Sequence, residues 1–258
     1  MTHKTSASTV FLLVHGSWHG AWCWQRVQPL LQAAGVQSHA VTLTGVGERA
    51  HALAATIRLA THVADVVQTV VASEWQRVVL VGHSYGGLVI TQAAHELQQC
   101  LPGVLERMVY VDAHVPRSGQ SWASLQAPEV QTQRAKEAHT LGGGVFLPAP
   151  DASVFGLVGE DRDWVNRRQT PQPFGVYFDK LDIDDAAMAS VPKTYIDCTN
   201  PALPAVQRSR ERVQQAIAAQ ATKSATDFDK SWRYFELACG HDPMVDQPQA
   251  LSALLLRS

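Results

Sequence analysis

Short runs of aliphatic and β-branched residues recur along the chain, separated by longer stretches whose apolar positions fall three or four residues apart. The short runs predict strands at 9–14 (TVFLLV), 36–42 (VQSHAVT), 77–82 (RVVLVG), 107–112 (RMVYVD), 193–198 (KTYIDC) and 233–237 (RYFEL). Helical spacing predicts helices over 21–35, 61–74 and 87–99, and a last one from Pro248 through ALSALLL. In the first of these Gly35 marks a stop, and Pro29 marks a kink or a late start. Strands alternating with amphipathic helices predict an α/β fold, a mostly parallel sheet flanked by helices. Between 117 and 190 the rhythm breaks into LGGGVFLPAP, TPQPFG and LDIDD, with no convincing buried strand. An irregular stretch of that length predicts a cap (lid) insertion over the functional face, carried by a core of 1–116 and 191–258. A surface excursion without a role is the plainer alternative.

Composition narrows the functional classes. A chain of 258 residues with a net charge of −2 is long enough for one large α/β domain, and gives no electrostatic reason to expect nucleic acid or an anionic membrane as partner. No stretch approaches the ~20 apolar residues of a bilayer span. The N-terminal apolar run is short for a signal peptide and no cleavage signature follows it, so a cytoplasmic protein is expected. Cys23, Cys100, Cys198 and Cys239 are scattered without C-x-x-C spacing, which predicts free thiols and no metal site.

The most specific chemistry lies in VVLVGHSYGGLVI, where Gly82-His83-Ser84-Tyr85-Gly86 forms G-x-S-x-G between an apolar strand and a helix pattern. In that context the serine sits on a sharp strand-to-helix turn that projects its hydroxyl above the sheet edge, which makes Ser84 the candidate nucleophile. The small residues relieve crowding at this turn, and Gly87 lets the helix approach the strand. Without that setting, the motif would read as an ordinary glycine–serine turn. At the end of the first strand, His15-Gly16-Ser17 is similar to a turn that supplies an oxyanion-hole amide. The backbone N–H groups of Ser17 and Tyr85 are therefore the candidate donors, while Trp18, Trp22 and Trp24 read as packing residues.

Of eleven histidines, His241 in ELACGHDPMV follows the final strand and precedes the final helix, where open α/β sheets carry functional groups. It is the candidate base. His15 and His83 adjoin turn glycines and read as structural hydrogen-bonding groups. In VYVDAHVP, Asp112 closes a buried strand, where an acid is costly without a partner. It is either the acid that orients His241 or a cap on the following turn.

Taken in order, VHGSWHGAWCW, VGHSYGG and GHDPMV resemble the α/β-hydrolase superfamily, in particular its branch of plant methylesterases, hydroxynitrile lyases and bacterial pyrethroid-type carboxylesterases. The likeness spans almost the whole chain and includes TPQPFG. It implies an acid on the loop after KTYIDC, but that loop reads TNPALP, with Asn200 and Pro201 where the acid is expected. Asp197 lies within the strand, some 10 Å too deep at ~3.3 Å per residue. VYVDAHVP resembles the lipase version, in which the acid closes the preceding strand, so Asp112 is the leading candidate and Asp197 the reserve. The resemblance also implies that a lyase would carry a threonine in the first loop and a lysine after the histidine. Here those positions are Gly16 and Asp242, and an aspartate repels cyanide.

The expected protein is thus a serine carboxylesterase that needs no cofactor and takes a small-molecule ester, with homodimer formation left open. Trp122, Phe146, Phe155, Trp164 and Phe174 in the insertion suggest a hydrophobic or aromatic ester. A hydroxynitrile lyase and a non-catalytic small-ligand receptor on the same scaffold are the alternatives.

Overall fold

The computed structural model describes residues 8–221 and 232–258. Along the chain the strands are β1 (Val10–Val14), β2 (Gln37–Val41), β3 (Val78–His83), β4 (Leu105–Val111), β5 (Phe146–Leu147), β6 (Gln172–Pro173), β7 (Lys193–Cys198) and β8 (Trp232–Leu237). All except β5 and β6 join one parallel sheet in the order β2-β1-β3-β4-β7-β8. All six predicted sheet strands are present, with ends displaced by a residue or two. The central strands β1 and β3 are buried along their whole length, as a parallel sheet covered on both faces requires. The edge strand β2 alternates exposed and half-buried residues instead.

The helices are α1 (Gln28–Ala33), α2 (Leu59–Ala72), α3 (Gly86–Cys100), α4 (Pro128–Thr140), α5 (Gly159–Asn166), α6 (Asp185–Ala189), α7 (Gln207–Ala221), α8 (Pro243–Asp246) and α9 (Pro248–Arg257). In α2 the buried Leu59, Val63, Val66, Val67 and Val70 form one apolar face, and each such side chain contributes about 1.5–3 kcal/mol on burial. The stretch 21–35 is not one helix. Ala21–Trp24 is a 3-10 turn, and α1 starts at Gln28 with Pro29 in its first turn, where a missing N–H costs nothing.

The segment 117–190 has more structure than its composition suggests. It holds α4, α5 and α6, several 3-10 turns, and the antiparallel β5–β6 pair. Among the described residues no helix is long and apolar enough to cross a membrane. The carboxyl ends of β1, β3, β4 and β8 open onto one edge of the sheet, and the loops leaving them carry the candidate chemistry.

Candidate active site

Ser84 stands between β3 and α3 with φ 53°, a left-handed conformation that costs a non-glycine residue about 1–2 kcal/mol. Its surroundings force that turn. A Cβ on Gly86 would lie 2.7 Å from the His15 carbonyl oxygen, and one on Gly87 would lie 2.1 Å from the His114 carbonyl oxygen. No side chain fits either place, so α3 seats directly on the loops after β1 and β4. Tyr85 is buried, and its phenol is 3.0 Å from Nδ1 of His62, whose Nε2–H donates to the Thr44 carbonyl. Burial holds His62 neutral with its pKa lowered to about 4, so the imidazole can accept the phenolic proton.

The loop after β8 brings His241 over this turn. Its Nε2 lies 2.9 Å from Ser84 Oγ and its Nδ1 lies 2.6 Å from Asp112 Oδ2. Two backbone anchors fix the loop: His241 N–H donates to the Phe155 carbonyl at 2.8 Å, and His83 Nε2–H donates to the His241 carbonyl at 2.9 Å. Burial and the neighbouring His241 ring push His83 well below the ordinary histidine range, so it acts as a neutral donor. His15 is likewise neutral, with its pKa lowered by burial to about 3. Its Nδ1–H donates to the Gly16 carbonyl and its Nε2 accepts from Leu43 N–H, tying the first loop to the loop after β2.

Asp112 is fully buried at the end of β4, with φ 39°. One carboxylate oxygen meets His241 and the other accepts from Arg210 at 3.0 Å. Among the described hydrogen bonds neither oxygen turns back to the amides of the AHVP segment. Asp197 corrects the depth argument: β4–β7 register pairs Val111 with Ile196, so Asp112 and Asp197 follow at the same level of the sheet. The two carboxylates differ in their partners. Asp197 accepts from Arg210 and from Tyr234, and no described hydrogen bond joins it to His241. Arg210 belongs to α7, a helix that strand-and-turn reading passes over, and the only sequence hint of it is an acid in mid-strand that needs a counter-charge.

The His15-Gly16-Ser17 turn abuts the serine, since a Cβ on Gly16 would lie 2.8 Å from Ser84 Cβ. The residue after Ser17 is held by the 117–190 segment. Trp18 has φ 65°, its N–H donates to Gln172 Oε1 at 3.0 Å, and its carbonyl accepts from Thr170 N–H at 3.0 Å. The TPQPFG stretch thus clamps the first loop. Of the aromatic residues in 117–190, Trp122 packs at an angle on Tyr85 (ring centroids 5.2 Å apart) and edge-on to Trp18 (6.0 Å), and Phe155 lies 5.7 Å from the His241 ring. Trp164 packs instead on Trp22, and Phe174 on His139 and Tyr177.

A second buried pair lies beside the base. His19 Nδ1 donates to the Ser17 carbonyl at 2.7 Å and its Nε2 donates to Asp242 Oδ2 at 3.1 Å. Both partners only accept, so the ring carries both protons. Burial opposes charge on both groups, but their mutual attraction outweighs it, raising the pKa of His19 and holding that of Asp242 down at about 2. His83, His241 and Asp242 also bring ligand-type atoms within 4.8 Å of one another, with both His241 nitrogens already engaged by Ser84 and Asp112. Removing one member of a buried pair costs about 3–5 kcal/mol. Asp242→Asn is therefore expected to lower the thermal midpoint, at about 2–4 °C per kcal/mol, by roughly 6–20 °C. Calorimetry checks this, and an unchanged midpoint would refute the pairing.

Comparison with known proteins places the chain among its relatives. The chain is 35% identical over 255 residues to the carbendazim hydrolyzing esterase of Nocardioides sp. (strain SG-4G), covering 95% of this chain and 97% of that one. It is also 35% identical over 267 aligned positions to methylesterase 1 of Arabidopsis thaliana, covering 96% of this chain and 94% of the other. Among solved structures, an extracellular alpha/beta-hydrolase from a Paenibacillus species superposes with a TM-score of 0.79 at 22% identity, over 96% of this chain and 98% of that one. The model of the alpha/beta hydrolase family matches residues 11–254, nearly the whole length of the chain, which belongs to that family.

Proposed function

We propose that the protein is a serine carboxylesterase acting through an acyl-enzyme. The observation that carries this reading is the unbroken line from Ser84 Oγ through His241 to Asp112, with contacts of 2.9 and 2.6 Å. His241 takes the Ser84 proton as the hydroxyl attacks the ester carbonyl, and Asp112 stabilises the imidazolium that forms. The amides of Ser17 and Tyr85 hold the developing oxyanion, each contributing about 3–4 kcal/mol in the transition state. His241 then protonates the leaving alcohol and activates the water that releases the acid. Residues 117–190 act as the cap, and Trp18, Trp122 and Phe155 make the walls hydrophobic and aromatic, suited to a small apolar or aromatic ester. The relatives named as an esterase and a methylesterase support the same reaction class.

Cyanohydrin cleavage is disfavoured because Asp242 follows the base and offsets the positive charge of His19, so this buried pair offers no net positive charge to hold cyanide. A receptor role would leave the serine–histidine contact without work. A fluorophosphonate probe separates these readings. It is expected to add to the peptide containing Ser84 and to abolish turnover of p-nitrophenyl esters, while mandelonitrile releases no cyanide above background. Absence of the adduct, or cyanide release at a rate matching ester turnover, would overturn the proposal.

A further inference from the structure

We infer that Arg210 is a positioning residue for the site: its guanidinium forks between Asp112 and Asp197, aims the Asp112 carboxylate at His241, and leaves this buried cluster with one net negative charge. The inference rests on the triad reading and adds to it a residue that makes no contact with substrate.

The geometry is specific. One guanidinium nitrogen of Arg210 donates to Asp112 Oδ1 at 3.0 Å, its Nε donates to Asp197, and a third nitrogen donates to Gln207 Oε1 at 2.7 Å. Arg210 is 5% exposed, Asp197 1% and Asp112 not at all, so these charges have little water to screen them. A planar fork with several fixed donors can hold two carboxylates in set orientations, which a point charge on a flexible stem cannot do. Asp112 has two oxygens, one bound by His241 and the other by Arg210, so the arginine fixes the rotation of the carboxylate plane. Asp197 has a complementary role. Without it, a full positive charge would stand behind Asp112 and weaken its stabilisation of the His241 imidazolium.

The groups around the cluster leave this charge count simple. From β7, Tyr195 and Cys198 face it with pKa values pushed well up, Tyr195 mainly by burial and Cys198 by its contact with Cys239 and by burial. From β8, Tyr234 is also pushed up, by burial and Asp197, so these groups stay neutral. On the other side of His241, burial keeps His83 and His114 neutral, and Asp242 is balanced by His19. Among the described residues, the buried charges that remain in contact with one another are those of Asp112, Asp197 and Arg210, and Glu236 acts only beyond Tyr234 at the rim.

Charge counting gives the test, read on the acidic limb of the kcat/KM profile for a neutral p-nitrophenyl ester. Arg210→Met makes the cluster doubly negative. The imidazolium is then favoured, and the limb is expected to move up by about one pH unit, with kcat at pH 7 reduced ~10- to 100-fold. Asp197→Asn makes it neutral and is expected to move the limb down. The double variant restores a single negative charge and is expected to return the limb close to its native place, while kcat stays low because the fork is gone. Arg210→Lys keeps the charge and is expected to hold the limb while lowering kcat. If Arg210→Met does not fold, the comparison is carried by Asp197→Asn, whose limb is expected to fall, against Arg210→Lys and the double variant, whose limbs are expected to stay. Limbs that coincide in all variants while Asp112→Asn is inactive would overturn this inference alone. An active Asp112→Asn would remove the triad reading beneath it as well.

Discussion

Ser84→Ala is expected to lower kcat for a p-nitrophenyl ester by about 10⁶-fold, the scale seen when a serine nucleophile is removed from such a unit. The loss should fall on kcat, because the substitution removes the atom that forms the acyl bond and leaves the aromatic walls intact. Residual turnover about 10³-fold above the uncatalysed rate should persist, since the Ser17 and Tyr85 amides would still hold an oxyanion formed by attack of water. The fold should barely respond. Alanine and serine bear the same steric cost at φ 53°, and only the hydrogen bond between Oγ and His241 disappears. A matched thermal midpoint with a millionfold rate loss would separate chemistry from stability. Turnover within tenfold of the native rate would show that the acyl bond forms elsewhere.

How much the chain reveals depends on how locally each feature is determined. The six sheet strands are legible because a parallel sheet covered on both faces demands continuous apolar runs, and VVLVGH is wholly buried. Ser84 and His241 are legible because each sits in a turn whose glycines and neighbours are adjacent in sequence. The helix α7 is harder to read. Its buried stripe runs through Ser209, Arg210, Val213 and Ala216, so a serine and an arginine occupy positions that an amphipathic pattern would fill with apolar residues. Arg210 is inside because two acids some 13 and 98 residues away draw it there, and no window of sequence contains that reason. The level of Asp197 is obscure for a related cause. Depth counted along one strand from an expected loop places it too low, whereas the register between β4 and β7 sets the two acids side by side. The segment 117–190 stands out by its broken rhythm, but its grip on Trp18 through Thr170 and Gln172 depends on contacts across some 150 residues.

Asp112→Asn is expected to cost about 10⁴-fold in kcat, and the reason lies in the two partners of this carboxylate. Both neighbours require an acceptor: Nδ1–H of neutral His241 on one side and the Arg210 guanidinium on the other. Asparagine offers one oxygen and one amino group, so it cannot satisfy both. Arg210 is always protonated and buried, which makes an amino group facing it the costlier arrangement. The oxygen therefore turns to Arg210 and the amino group to His241, which must then accept at Nδ1 and carry its proton on Nε2. In that tautomer His241 donates to Ser84 Oγ and cannot take its proton. Asp197→Asn leaves the His241 contact untouched and is expected to cost about tenfold at most at neutral pH, since it alters only the charge behind Asp112. Measuring kcat and KM for both variants on one ester, with the thermal midpoint as control, distinguishes the two acids. Equal losses, or the larger loss at Asp197, would show that the proton on His241 is governed from β7 and not from the end of β4.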